Sequence, residues 1–109
     1  MHHAFDYVDF VCKRVTQLRL AKGVSARDMS LSIGQNVNYI NHIENRKAEP
    51  SLSGLFYICD YFGITPQEFF DIESSNPVQL KDLMEDVKKL KNAELLHLSG
   101  FVKEITKDR

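Results

Sequence analysis

The amino-acid sequence predicts an all-α protein, with five helices over residues 1–73 followed by a C-terminal helical hairpin or one long helix over residues 74–109. Three observations lead there. Apolar residues recur at three- and four-residue steps, and no stretch sustains the alternation of a half-buried strand. Helix start and stop signals punctuate those stripes. The 109-residue length suits one core, and 43% hydrophobic with 27% charged residues is the composition of an ordinary globular domain.

In chain order, the first helix is expected at about residues 6–22, where Val8, Val11, Cys12, Val15 and Leu18 form one stripe. Gly23 supplies a left-handed stop. Ser25-Ala-Arg-Asp28 resembles a capping box and opens a short second helix ending near Ile33, after which Gly34 turns the chain. Asn36 is a good N-cap for a third helix running to about Asn45, with Ile40 and Ile43 facing inward. Beyond the loop at 46–50, Ser51 caps a fourth helix carrying Leu52, Leu55, Ile58, Cys59 and Phe62, closed by Gly63. Thr65-Pro-Gln-Glu68 is a capping box with proline where its missing N–H costs least, and it leads into Phe69 and Phe70. The stretch 73–77 is polar and rich in helix breakers, which marks a boundary.

Composition removes several function classes. Cys12 and Cys59 each sit among apolar neighbours, which fits buried thiols in a reducing cytoplasm better than a secreted disulfide scaffold. No apolar run approaches the roughly 20 residues that span a bilayer, and the first residues lack the charge and apolar pattern of an export signal. A cytoplasmic protein without membrane contact is expected. The four histidines, His2, His3, His42 and His97, form no catalytic motif, and no phosphate loop or nucleophile elbow is present. No enzyme activity, cofactor or metal is therefore expected, since the His2-His3 pair on a terminus is a poor ligand set. Net charge is −1, distributed as +2 over residues 1–49, −4 over 50–76 and +1 over 77–109. An anion-binding face should lie in the first half.

Residues 26–43 have the physical pattern of a helix-turn-helix: Met29, then small Ser30 where two helices approach closely, then Ile33, Gly34 and the inward Ile40 and Ile43. Five further pieces carry a wider likeness: Arg14-Val-Thr-Gln-Leu-Arg19, Lys22-Gly-Val-Ser25, Tyr39-Ile-Asn-His-Ile-Glu44-Asn45, Pro50-Ser-Leu52 and Phe62-Gly-Ile-Thr-Pro-Gln-Glu-Phe69. Their order and spacing from Arg14 to Asp71 resemble the phage-repressor and Cro-like family of transcriptional regulators, the XRE family. That resemblance implies a five-helix repressor-like helix-turn-helix domain whose third helix enters the major groove of double-stranded DNA while the second lies across the backbone.

Position by position, the resemblance places Val37, Asn38, Asn41 and His42 on the groove side. Helical geometry agrees, because residues 37, 38, 41 and 42 lie opposite Ile40 and Ile43 at about 100° per residue. Asn38 and Asn41 can pair with adenine, His42 can donate or accept at a base edge or phosphate, and Val37 can touch a thymine methyl. Backbone contacts are expected from Arg27, Asn36, Tyr39, Arg46 and Lys47. The resemblance also implies a structural ion pair between Arg19 and Glu44. Two departures stand out: Ala26 replaces a frequent glutamine that bonds a phosphate, and Arg46 replaces a common glycine.

Leu80, Leu83, Val87 and Leu90 repeat at 3-4-3 spacing, as do Leu95, Leu98, Val102 and Ile105. The two stripes share no strict heptad phase. Either one long helix carries both or a break at Lys91-Asn92, with Asn92 as N-cap, makes the favoured hairpin. These eight residues are assigned to homodimerisation, against intrachain packing, because two-fold symmetry suits a palindromic operator; the resemblance implies a repressor role. A competing reading is an antitoxin-like or accessory module that contacts a protein partner and binds DNA weakly.

Overall fold

The computed structural model describes residues 5–109. Its helices are α1 (Tyr7–Lys22), α2 (Ala26–Ser32), α3 (Tyr39–Glu44), α4 (Leu52–Phe62), α5 (Pro66–Phe69), α6 (Pro77–Val87) and α7 (Asn92–Thr106), and no strand occurs among the described residues. His2 and His3 lie outside them.

The chain divides into two compact units, one through Val78 and one from Gln79. In the first, α1 contributes Cys12, Val15 and Leu18 to a core completed by Met29, Ile40, Ile43, Ile58, Cys59, Phe62, Ile64 and Phe69. Pro77 is buried and Val78 packs against this core.

Local chemistry explains the helix ends. Asp6 accepts the Asp9 N–H at 3.0 Å and starts α1, Ser25 accepts the Asp28 N–H to start α2, and Ser51 accepts the Gly54 N–H to start α4. Thr65 and Glu68 satisfy each other's backbone N–H groups at 3.1 and 2.9 Å, forming the full capping box of α5.

Two boundaries differ from the sequence reading. The third helix begins at Tyr39 and not at Asn36. The Asn36 side chain accepts the Asn38 N–H at 2.9 Å, and its carbonyl accepts the Tyr39 N–H, so Asn36 caps a turn that precedes the helix. Val37 and Asn38 therefore lie in that turn. At the C-terminal side, the chain does break between α6 and α7, but the N-cap is Lys91, whose N–H is taken by the Glu94 carboxylate at 2.8 Å; Asn92 is the first helical residue.

Arg14 breaks the expected pattern most sharply, being 3% exposed on the inner face of α1. Its guanidinium lies 4.7 Å over the Phe10 ring and donates through Nη2 to the Asp71 carbonyl at 2.8 Å, while Nε and Nη1 are buried without a hydrogen-bond partner. Phe10 in turn stacks on Phe70 and meets Phe69 edge-on, so the start of α1 is fastened to the end of α5.

The second unit is built differently. None of the side chains of α7 is buried. Along α6 the only buried residue is Pro77, so the apolar stripes of this unit remain open to solvent.

Candidate nucleic-acid interface

The site is assembled from α3 and the devices that hold it. Ser30, fully buried on α2, donates to the Ala26 carbonyl at 2.7 Å and accepts the Ile40 N–H at 3.0 Å. The first N–H groups of a helix have no partner within it, so this bond satisfies one of them and ties α3 to α2. Ile40 and Ile43 then seat the same helix on the core.

A second clamp comes from α1. Arg19 donates from Nε and Nη2 to the two carboxylate oxygens of Glu44 at 2.7 and 2.9 Å, and its Nη1 donates to the Val24 carbonyl at 3.0 Å. Both side chains are largely buried. This fork-on-carboxylate geometry fixes the C-terminal end of α3 in direction as well as position.

The helix ends in a left-handed residue. Lys47 N–H reaches the His42 carbonyl at 2.8 Å and Arg46 N–H reaches the Ile43 carbonyl at 3.1 Å, the hydrogen-bond pattern that usually calls for glycine. Here Arg46 occupies that position with φ 61°.

Held in this way, α3 presents Asn41 and His42 to solvent, and the turn before it presents Asn38. Val37, in the same turn, is half-buried. The Asn45 amide donates at 2.8 Å to both the side-chain and backbone oxygens of Asn41. Asn45 thus orients a predicted base-reading side chain. Sequence reasoning missed it, although its position four residues after Asn41 on one helix was the available signal.

The flanking residues are placed less uniformly. Arg27 and Lys47 are exposed, as is Asn36 in its turn. Tyr39 is half-buried, burial pushes its phenol pKa up, and its Oη lies against Gly54 so closely that a side chain at residue 54 would collide with it. Arg46 donates from Nη1 to Asp9 Oδ1 at 2.6 Å, and Asp9 also receives Lys13 at 3.0 Å. The residue read from sequence as a phosphate contact therefore already holds a carboxylate.

The eight residues assigned to dimerisation fall on α6, on α7 and in the break between them. Leu80, Leu83, Leu90, Leu95, Val102 and Ile105 are exposed, Val87 and Leu98 half-buried, and Met84, Leu96 and Phe101 add further exposed apolar area.

The physical pieces of a groove-reading helix are thus in one place: a short polar-faced helix, buckled to its partner helix, clamped from a third, with basic side chains at its exit. Residues 15–69, just over half of the chain, match the helix-turn-helix family model. No curated protein and no solved structure matches the chain. The chain belongs to the phage-repressor and Cro-like (XRE) helix-turn-helix family, whose members are DNA-binding regulators.

Proposed function

We propose that the chain is a sequence-specific transcriptional repressor that binds a palindromic operator as a homodimer, with α3 and the turn before it in the major groove. The observation that carries this reading is the polarity of α3. Its apolar face is buried to the last atom at Ile40 and Ile43, while Asn41 and His42 stand exposed beside Asn38. An α-helix with its side chains is about 10–12 Å across, which a major groove about 12 Å wide admits.

In this reading Asn38 and Asn41 pair with adenine edges, His42 meets a base edge or phosphate, and Val37 touches a thymine methyl. Arg27, Asn36, Tyr39, Arg46 and Lys47 fix the register on the backbone. The unburied stripes of α6 and α7 support a dimer, because apolar faces of this extent gain by packing against a second copy. Two copies then read half-sites about 34–36 Å apart, and occupancy of the operator excludes the transcription machinery.

Selection of bound duplexes from a random pool tests the reading. An A·T-containing palindrome is expected, and Asn38→Ala and Asn41→Ala should each relax one position by about 1–3 kcal/mol of discrimination. Unchanged preferences in both variants would show that a different face reads DNA. Binding that falls steeply with salt supports a DNA reader, whereas a flat response favours the protein-interaction module. Sedimentation at a mass of one chain at micromolar concentration would remove the dimer.

A further inference from the structure

The corner where α1 meets the exit of α3 is crowded with opposite charges. Arg46 follows α3 directly and is rooted in a left-handed backbone position, so its side chain leaves the helix in a set direction. That direction leads to Asp9, 2.6 Å away on the first turn of α1. Lys13, one turn further along α1, takes the other carboxylate oxygen at 3.0 Å. One carboxylate thus holds two basic side chains, one of them at the exit of the helix.

A carboxylate and a phosphate ask the same of a guanidinium: two or more acceptor oxygens carrying negative charge. We propose that Asp9 is a built-in competitor for the DNA phosphate, holding Arg46 in the free protein so that the chain binds duplex only as tightly as breaking of the Asp9–Arg46 pair allows. The proposal rests on the DNA-binding reading and specifies its electrostatic control. It also gives a physical role to the departure from glycine at residue 46. Arginine there adds a cation at the backbone-contacting edge of the site, and Asp9 withholds it.

The pair is solvent-accessible on both sides, with the Arg46 and Asp9 side chains 46% and 34% exposed. It can therefore open without disturbing the core. Exposed pairs of this kind are weak enough for a phosphate to displace. The effect on affinity is accordingly graded, a tuning of a small factor and not an all-or-none switch.

The test compares wild type, Asp9→Asn, Arg46→Ala and the double variant by fluorescence anisotropy with a labelled mixed-sequence duplex over a salt series. Asp9→Asn should bind about threefold tighter at low salt, with a log-log salt slope steeper by about one phosphate contact. In the Arg46→Ala background the same change should alter neither quantity. Unchanged affinity of Asp9→Asn, with wild type binding normally, overturns the proposal alone. So does equal tightening in the Arg46→Ala background, which would reflect general loss of negative charge. Absence of wild-type binding at low salt overturns the DNA reading itself, and the competitor role with it.

Discussion

The Ser30 hydroxyl accepts the Ile40 N–H at 3.0 Å within the buried seam between α2 and α3. One side chain thereby serves as both spacer and acceptor: it is small enough to let the helices approach, and it satisfies a backbone donor that the second residue of a helix cannot satisfy internally. Ser30→Ala keeps the spacing and leaves the Ile40 N–H buried without a partner. A loss of about 1–3 kcal/mol is expected in urea unfolding, with faster hydrogen exchange at the Ile40 amide. No change in either measurement would show that the bond is dispensable.

Arg19 and Glu44 offer a different kind of test, because a buried ion pair is costly to break and inexpensive to replace as a whole. Glu44→Ala leaves a largely buried guanidinium with only the Val24 carbonyl, and about 3–5 kcal/mol should be lost. Replacing both partners by apolar residues of similar volume, Arg19→Met with Glu44→Leu, should recover most of that loss. Thermal unfolding of wild type and the two variants decides the matter. A single variant as stable as wild type would mean that the clamp contributes nothing to holding α3.

These two contacts also show what the sequence conveys and where it stops. Periodicity located the stripe of α1 through Cys12, Val15 and Leu18, and capping chemistry located α2, α4 and α5, because serine or threonine before a helix has one dominant use. Asparagine does not. Asn36 can cap a helix or close a turn, both with the same side-chain oxygen, and here it closes the turn by accepting the Asn38 N–H. Arg14 was illegible for a related reason, since a pattern that counts arginine as polar cannot foresee a guanidinium laid on Phe10 and bonded to a carbonyl 57 positions away. The exposure of Asn41 and His42 follows from helical angles, whereas Asn38 is exposed in a turn that those angles do not describe. The Asp9–Arg46 and Ser30–Ile40 contacts could not be read in this way, because they join parts of the chain that only the tertiary fold brings together.

Both cysteines are buried, and burial raises their thiol pKa values, that of Cys59 from its ordinary 9.0 to about 11. The folded state thus keeps the Cys59 proton in a range where the unfolded chain has lost it. Stability from this source is complete below about pH 9 and falls as pH rises toward 11, at roughly 1.4 kcal/mol per pH unit. Denaturant melts across that range should show the slope, and Cys59→Val should flatten it. Thiol titration of native protein at neutral pH should be slow, becoming rapid on unfolding; rapid native reaction of both cysteines would contradict their burial.

Two helical glycines should respond to alanine with opposite signs. In an exposed helix alanine is favoured over glycine by about 1 kcal/mol, and Gly100 on α7 has open space where a side chain would go. Gly100→Ala should therefore stabilise by about that amount. Gly54, buried near the start of α4, has the Tyr39 hydroxyl in the same space, with Ser51 Oγ 3.2 Å from where a methyl group would sit. Gly54→Ala should destabilise by about 1–3 kcal/mol, the usual cost of overpacking. Tyr39→Phe removes the colliding oxygen, so the pair Gly54→Ala with Tyr39→Phe should be more stable than Gly54→Ala alone. Calorimetric melts of the four proteins suffice. A stabilising Gly54→Ala, or one that Tyr39→Phe does not relieve, would mean that the close approach of Tyr39 to α4 is not what requires glycine there.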